Sequence, residues 1–538
     1  MQNIVRYFSI STLALLLFMG CEVSDFDLQE NPNYLTPDSA DPEYMLNEVQ
    51  YLFQHYMKWM IVNTDDVMRY EAMTDTYGDV VPTSVMDGDT SKEWDTYYEA
   101  LNNVRTIEAL AEDDETLLFH SGIAKLLMGY MTVTMVDYIG AIPYAQAVNN
   151  SEYPNPELDG GAALYQMVLE DINEAKTEIE DANFDFSTDL FYGSDKDKWI
   201  AFANSLKLRM LVQARLASTD IGIADLQAEI NSLLSQNLID SREEDFQWSY
   251  STVQEPESRH LYFQRAYVSG FDQYIGNYFM FQLKESKNNP DPRIRYYLYR
   301  QSNKDPFSGP PYLPCQGDPD VDYCYIGDQY WGYDHGESRV GRGDNLLRTV
   351  YGVYPGGGSF DEDQFVGAPS TTDNLGGAGI LPLLTSSYVS FLRAEAALTL
   401  GTNGDPATLL ENGIRNSMSK VMAFGGVTSD LQPTAGDVDA YVDEVMQDYS
   451  NATTDEARLD IVMKEYYLAA YGNSIESYNF YRRTGYPSDM QVPIDDDNPV
   501  FPRSFPLSRL EVQRNLSLEQ KNNYDKVFWD TNPDSFIK

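Results

Sequence analysis

Residues 199–209 read WIAFANSLKLR, and this stretch indicates the fold class. Apolar side chains recur in and just after it at steps of three and four residues: Trp199, Phe202, Leu206 and Met210. Such spacing places side chains on one face of an α-helix. The other side of the helix is expected to carry polar side chains: Asn204, Lys207 and Arg209. The segment therefore predicts an amphipathic helix that packs against other helices.

Similar helical patterns occupy both flanks of the chain. On the N-terminal side they span 44–60, 92–111, 115–138, 160–181, 196–217 and 223–236. On the C-terminal side they span 385–400, 406–424, 436–449, 454–473 and 475–481. The 115–138 segment is apolar nearly all round, so we expect it to be buried.

The turn at 401–406, GTNGDP, predicts a helix hairpin. Gly401 can end one helix, Asp405 can cap the next helix, and Pro406 suits the first helical position. The helix before this turn carries small side chains that let a partner approach closely: Ala394, Ala396 and Ala397. Paired helices of this kind are typical of tetratricopeptide-like stacks.

Between the two flanks, about 241–384, the pattern breaks into short runs with many turn residues, and a helical signal survives only near 272–286. An irregular stretch of this length is uncommon in a compact domain unless it has a function. We therefore predict an all-α fold, with a tetratricopeptide-like scaffold of helix pairs and a large, irregular, loop-rich insertion that binds a ligand. The predicted single domain covers 44–538, with scaffold at 44–240 and 385–490 and an extended C-terminal segment at 491–538.

The charge of the chain restricts its partners. Thirty-seven Lys and Arg stand against 84 Asp and Glu, a formal net charge of −47, which argues against a nucleic-acid partner because phosphates require a basic face. At 43% hydrophobic residues the chain is nevertheless globular in composition. Its 40 tyrosines suit wet interfaces and planar ligands, since each has an apolar ring and a hydroxyl tip.

The N-terminus predicts export. Residues 1–20 combine one positive charge, Arg6, with an apolar run that is too short to span a bilayer, which is typical of a signal peptide. Cys21 follows at once, and the sequence LFMGC resembles a bacterial lipobox, in which the cysteine is lipidated, for example with palmitate. Residues 21–43 would then form a lipidated tether. The alternative is an ordinary signal peptide followed by a coincidental cysteine.

Little in the sequence predicts catalysis or a bound metal. Cys315 and Cys324 are expected to form a disulfide in an exported chain, with two free thiols as the alternative. No zinc motif joins the four histidines. Tyr323 and Gln329 occupy the positions where a calcium loop of the EF-hand type needs glycine and glutamate, which leaves open only a looser structural calcium site at Asp318, Asp320 and Asp322. We expect no cofactor and no catalytic residue.

The aromatic loop after Cys324 is the predicted ligand site. Rings lie there beside carboxylates, an amide and a guanidinium, and a sugar needs a flat ring for its C–H face and polar groups for its hydroxyls. The candidate binding residues are Trp331, Tyr330, Tyr333, Tyr77, Asp328, Gln329, Asp334, His335 and Arg339. The alternative is that these rings only pack the loop. Trp59, Trp199 and Trp529 are expected to be structural.

Seven short motifs in order resemble the SusD/RagB family of nutrient-binding outer-membrane lipoproteins. They are Asn31-Pro32-Asn33 after the lipid cysteine, DYIGAIPY at 137–144, WIAFANSLKLR at 199–209, DPR at 291–293, RAEA at 393–396, RRTGYP at 482–487, and Pro502-Arg503 with Glu511 and Asn515. Each motif is weak alone, but their order is specific. The long aromatic loop departs from the family pattern.

The resemblance implies a lipid-anchored protein on the outer membrane, exposed at the cell surface. Members of this family capture glycans or peptides and pass them to a TonB-dependent SusC-like transporter. The motifs themselves are expected to be scaffold, with charges paired on core helices: Arg393, Glu395, Arg482 and Arg483. The leading hypothesis is a glycan-binding protein without enzymatic activity. The alternatives are an oligopeptide-binding member of the family, a surface glycoside hydrolase, or a lid with negligible affinity of its own.

Overall fold

Helices form on both flanks where the apolar periodicity predicts them. The computed structural model describes residues 41–74, 77, 91–183, 188–270, 273–307, 313, 315–319, 321–337, 346–367, 374–494 and 500–537. The helices before the insertion are α1 (Pro42–Asp65), α2 (Ser91–Asp113), α3 (Leu118–Ile139), α4 (Gly161–Asp181), α5 (Lys196–Gln213) and α6 (Leu226–Leu233). The signal peptide, Cys21 and most of the tether lie outside the described residues.

The remaining helices are α7 (Asn277–Lys284), α8 (Ser386–Leu400), α9 (Pro406–Ala423), α10 (Ala435–Asn451), α11 (Asp455–Ala469), α12 (Ser474–Thr484) and α13 (Arg509–Arg514). They follow the predicted order up to α12, and α13 is an additional short helix within the C-terminal segment predicted to be extended. Shorter helical turns lie at Glu115–Leu117, Arg215–Ile221, Arg242–Glu244, Leu261–Phe263, Gln264–Val268, Ile294–Tyr297 and Phe424–Gly426. Successive helices pack as pairs, α1 on α2, α3 on α4, and α8 on α9. The helical, tetratricopeptide-like scaffold is thus confirmed.

The hairpin between α8 and α9 has the predicted ends. Gly401 adopts a left-handed conformation (φ 67°) and its N–H bonds the carbonyl of Ala397. The Asp405 carboxylate accepts a hydrogen bond from the Thr408 N–H at 3.0 Å, and Pro406 occupies the first helical turn. These two devices satisfy backbone groups that a helix end leaves without partners.

Helix α5 differs from the prediction, because its expected polar face is largely buried. Asn204 and Arg209 are almost fully enclosed, and only Lys207 is partly exposed. Arg209 Nε donates to Glu476 Oε1 at 2.6 Å, and Asn204 Nδ2 donates to the Asn237 carbonyl at 2.7 Å. Neighbouring segments therefore supply a partner for each side chain, and Asp137 Oδ2 lies a further 3.7 Å from Arg209 Nη1. Helix α3 is buried on nearly every side, as predicted.

In the described ranges, three short antiparallel sheets accompany the helices. They pair β1 (Ala141–Ile142) with β2 (Asp159–Gly160), β3 (Phe246–Ser249) with β6 (Ile380–Leu384), and β4 (Leu298–Arg300) with β5 (Thr349–Tyr351). The β3–β6 pair lies at the two ends of the insertion, with Trp248 opposite Leu381. The insertion therefore leaves and rejoins the scaffold at one place.

Glu395, Arg482 and Arg483 are buried in the scaffold, whereas Arg393 is partly exposed and, contrary to the expected pairing, forms no ion pair in the described part of the chain. Arg483 donates from Nε and Nη2 to the two carboxylate oxygens of Glu395, at 2.8 and 2.7 Å, so the expected pairing is confirmed for these two residues. Arg482 has no carboxylate within ion-pair distance in the described part of the chain. It donates to the carbonyls of Arg503 and Asp137, at 2.7 and 2.8 Å.

Candidate functional site

The structure buries the four aromatic residues that the sequence predicts as ligand contacts: Trp331, Tyr330, Tyr333 and Tyr77. Trp331 is 2% exposed and packs in a small cluster with Leu313 and Cys315. Its backbone N–H donates to Thr349 Oγ1 at 2.9 Å. A ring enclosed in this way offers no face to a sugar, so the geometry favours the alternative that these rings pack the loop.

Asp334 and His335 hold segments of the chain together. The Asp334 carboxylate accepts hydrogen bonds from four donors: Asn277 Nδ2, Gln491 Nε2 and the backbone N–H groups of Tyr323 and Cys324, at 2.6 to 3.2 Å. His335 Nε2 lies 2.9 Å from the Tyr77 hydroxyl, and burial together with Arg69 lowers the pKa of His335 well below its usual value. Both side chains are therefore buried and bind other groups of the protein.

Among the other predicted contacts, Asp328 is the exposed one. Its side chain is 71% exposed and pairs with Lys284 at 3.1 Å, whereas Gln329 is partly buried. The Cys315–Cys324 disulfide is confirmed, with the two Cα atoms 5.5 Å apart. Arg339 and Asp320 lie outside the described residues. No group of three metal ligands occurs in the part of the chain that the structure describes.

An open cavity instead lies beside the middle of α1, with a volume of about 410 Å³. We call it the aromatic groove. Helix α1 contributes Tyr51, Gln54, His55, Lys58 and Trp59. The opposite wall consists of Trp248, Ser249, Tyr250, Ser251, Glu257, Ser258, Arg259, Leu261 and Gln264. The α1 residues recur at steps of three and four, so they share one helix face, and β3 brings Trp248 towards it.

The rings of the groove are held from behind and leave open surface in front. Tyr51 is 47% exposed and stacks on the His55 ring, with centroids 6.1 Å apart. Trp248 packs edge-on against Phe191 at 5.5 Å and remains partly exposed. The Tyr250 hydroxyl donates to Gln54 Oε1 at 3.3 Å, which links the two walls. The groove thus combines fixed aromatic rings with amides and hydroxyls.

Cations surround one end of the groove. The Lys92 and Lys58 ammonium groups lie 4.4 and 5.3 Å from the centroid of the Trp59 ring. Burial, followed by repulsion from Lys58 and Lys92, lowers the pKa of His55 to about 4. Burial, followed by Lys92, lowers the pKa of Lys58 to about 8, although Glu257 opposes this shift.

Two other recesses fit an extended ligand less well. One, of about 270 Å³, is lined by Trp94, Tyr98 and the carboxylates Asp95 and Glu511, but Trp94 is 3% exposed and its ring packs on Tyr98. The other lies between residues 362–364 and 428–432, and none of the described residues that line it is aromatic. The aromatic groove is therefore the better candidate.

The sequence contained one signal for the groove. Tyr51, His55 and Trp59 follow each other at four-residue steps on a predicted helix. The expectation that Trp59 is structural is incomplete, since its ring lines the groove and its indole N–H donates to His55 Nε2 at 3.1 Å.

Comparison with known proteins identifies the family. A family model described as "Starch-binding associating with outer membrane" matches residues 32–314, slightly more than half of the chain. A second model, described as "Susd and RagB outer membrane lipoprotein", matches residues 349–530. The chain belongs to the SusD/RagB family.

Solved structures of SusD-like proteins share the fold. A SusD/RagB family protein from Bacteroides thetaiotaomicron is 16% identical, with a TM-score of 0.68, and the match covers 92% of this chain and 100% of that one. A chitin-binding SusD homologue from Flavobacterium johnsoniae is 18% identical, with a TM-score of 0.66, covering 91% and 99%. No curated protein matches by sequence.

Family membership is consistent with the positions of the motifs in the fold. The SusD-like motifs at 137–144, 199–209 and 482–487 lie at buried ends and faces of α3, α5 and α12, away from the groove. Within the described residues no helix has the length and apolar character needed to cross a membrane.

Proposed function

We propose that this SusD-like protein is a cell-surface nutrient-binding lipoprotein that captures oligosaccharides in the aromatic groove. The observation that carries the proposal is the groove itself, where the exposed ring of Tyr51 and the partly exposed rings of Trp59, Trp248 and Tyr250 line one cavity. Such a cavity suits a pyranose, whose C–H face stacks on an aromatic ring.

Polar groups between the rings suit the hydroxyls of a sugar. Gln264 presents a partly exposed amide, and Ser249, Ser251 and Ser258 present hydroxyls. Amides and hydroxyls both donate and accept, as sugar hydroxyls do. Helix α1 holds the rings of one wall and strand β3 holds Trp248 on the other, so these rings lose little conformational entropy on binding.

Two further elements of the proposal come from the family. Cys21 would carry the lipid that anchors the protein to the outer membrane. The captured glycan would pass to a SusC-like TonB-dependent transporter, over which the protein sits as a lid. The chitin-binding homologue from F. johnsoniae supports a carbohydrate rather than a peptide as cargo.

The test compares two tyrosines of equal exposure. Tyr51 lines the groove and is 47% exposed, whereas Tyr524 lies in the C-terminal segment, outside the groove lining, and is 46% exposed. The wild-type protein is first screened against an immobilised panel of neutral and acidic glycans. For any glycan that it binds, we expect Tyr51→Ala to weaken the affinity about tenfold, or about 1.4 kcal/mol, and Tyr524→Ala to leave it unchanged.

Three outcomes would contradict the proposal. Equal affinities for Tyr51→Ala and wild type would show that the glycan binds elsewhere. Release of reducing ends from the panel would indicate a glycoside hydrolase. Binding of oligopeptides without any binding of glycans would assign the other cargo of the family.

A further inference from the structure

The aromatic groove carries positive charge although the chain has a net charge of −47. Among the lining residues that the structure describes, Glu257 is the only carboxylate. It is occupied by Arg259, whose Nε, Nη2 and backbone N–H donate to it at 2.8, 2.6 and 3.0 Å. These two charges offset each other, so the ammonium groups of Lys58 and Lys92 determine the local charge.

Neither lysine has a carboxylate partner within ion-pair distance in the described part of the chain. Lys58 is half-buried, and its one hydrogen-bond contact there is His55 Nδ1, 3.4 Å from Lys58 Nζ. An ammonium group can donate hydrogen bonds but cannot accept them. Whether His55 Nδ1 can accept one depends on where the imidazole proton lies.

The Trp59 indole decides the tautomer of His55. An indole N–H can only donate, so His55 Nε2, 3.1 Å away, must be the acceptor. The imidazole is neutral near pH 7, because burial and the two lysines lower its pKa to about 4. Its proton therefore lies on Nδ1 and points towards Lys58. Two donors thus face each other, 3.4 Å apart, without an acceptor between them.

Resting on the proposed function, we propose that the groove selects oligosaccharides that contain uronic acids, with one sugar carboxylate accepting hydrogen bonds from Lys58 Nζ and His55 Nδ1. A carboxylate has two oxygens and accepts without donating, which is what this pair of donors lacks. The sugar ring that carries the carboxylate would then stack on the exposed ring of Tyr51. Tyr51 lies on the same face of α1 as His55, one turn earlier in the helix.

The two lysines compensate locally for the acidic body. Screening at physiological ionic strength limits the repulsion from distant carboxylates to a Debye length of about 8 Å. Lys58 lines the groove and Lys92 lies 4.4 Å from the centroid of the Trp59 ring, so their attraction for a carboxylate in the groove is screened less than the repulsion from distant charges. An acidic sugar can stack its ring and place its carboxylate at the two donors, whereas a simple anion can do only the second. The groove therefore favours the acidic sugar.

Binding of the acidic sugar is expected to depend on pH. The titratable and charged groups that face Lys58 are His55 on α1, Lys92 on α2, and Glu257 and Arg259 on the opposite wall. Burial and Lys92 lower the pKa of Lys58 to about 8, so the free protein loses this ammonium as the pH rises through that value. A sugar carboxylate stays ionised above about pH 4. Affinity for a uronate should therefore fall above about pH 8.

The test uses matched acidic and esterified sugars. Calorimetry at about pH 7 compares oligogalacturonate, oligomannuronate and oligoglucuronate with their methyl esters, which keep the ring and lose the charge. We expect wild type to bind at least one acid tenfold or more tighter than its ester. Lys58→Met should abolish this preference, and Lys58→Arg should keep most of it. Lys198→Met is the control, because Lys198 is also partly buried beside an aromatic ring, 6.0 Å from Tyr192, but lies outside the groove lining.

The outcomes separate the two proposals. Equal affinity for acid and ester in wild type, or a preference that Lys58→Met retains, overturns the uronate assignment. If neutral glycans bind, uronates do not, and Tyr51→Ala weakens that binding, the assignment is wrong while the proposed function stands. Binding of an acidic peptide in place of every sugar, or of no probe at all, overturns both.

Discussion

Replacing Glu395 by glutamine should strongly destabilise the scaffold. Glu395 is fully buried and accepts hydrogen bonds from Arg483 Nε and Nη2 at 2.8 and 2.7 Å and from Arg215 Nε at 3.1 Å. Burial opposes its charge, but Arg483 and Arg215 outweigh burial and lower the pKa of Glu395. Three helical segments therefore depend on one carboxylate.

The magnitude follows from what the substitution leaves behind. Glutamine keeps one acceptor oxygen, but its amide turns a donor towards a guanidinium and removes the negative charge. Arg483, which is 1% exposed, would then be a buried cation without the carboxylate that is hydrogen-bonded to it. Breaking a buried pair in this way costs about 3–5 kcal/mol. We expect a loss of this size in the free energy of unfolding, measured by urea titration with circular dichroism.

An exposed pair provides the control. Arg415 Nε lies 2.8 Å from Glu411 Oε1 on α9, but both side chains are about 40% exposed. Glu411→Gln should cost no more than about 0.5 kcal/mol, because water replaces the lost partner. If Glu395→Gln cost no more than Glu411→Gln, the inference that burial makes this motif glutamate essential would be refuted.

Two further predictions concern other parts of the fold. Burial lowers the pKa of His260 from 6.5 to about 3. Below about pH 6.5 the unfolded chain therefore binds a proton that the folded chain does not, and stability decreases as the pH is lowered. His260→Asn should therefore reduce the loss in unfolding free energy between about pH 6.5 and 5 by roughly 1.5 kcal/mol; an unchanged loss would contradict the assignment. A Cβ at Gly161 would lie 2.4 Å from the Gly140 carbonyl oxygen, whereas one at Gly160 would meet no atom within 4 Å. Gly161→Ala should cost about 1–3 kcal/mol in a thermal or urea titration, and a similar cost for Gly160→Ala would show that the close contact is not the cause.

The scaffold was predictable because its signals are local. The apolar side chains that repeat along a helix and the residues that cap it lie close together in sequence. The hairpin between α8 and α9 could therefore be placed from Gly401, Asp405 and Pro406. The polar face expected for α5 was wrong for a different reason. Arg209 is buried because Glu476, 267 residues later in the chain, supplies its partner. A local sequence pattern cannot indicate a partner so far away in the chain.

The ligand site depended on long-range packing throughout. Trp331 lies in a loop of polar and aromatic residues, which resembles a binding loop until Leu313 and Cys315 are found packed against it. In the aromatic groove, by contrast, long-range packing creates a site instead of burying one. Its two walls are about 190 residues apart in sequence, and only the β3–β6 pairing at the base of the insertion brings Trp248 towards α1. A helical stripe indicated one wall, and nothing in the sequence indicated the other.

Part of the abundance of tyrosine follows from the carbonyl groups at buried helix ends. The last carbonyls of a helix have no partner within it, and a buried one that stays unpaired costs about 1–3 kcal/mol. Tyrosine hydroxyls meet this need near the ends of α9 and α11: Tyr296 donates to the Met422 carbonyl at 3.2 Å, Tyr70 to that of Tyr467 at 2.7 Å, and Tyr297 to that of Leu468 at 3.1 Å. Phenylalanine would fill the same space and leave the carbonyls unpaired. Most of the buried tyrosines therefore belong to the scaffold, and an excess of aromatic residues in such a chain does not by itself locate a glycan; partial exposure beside unpaired donors, as at Tyr51 and Lys58, is the more specific sign.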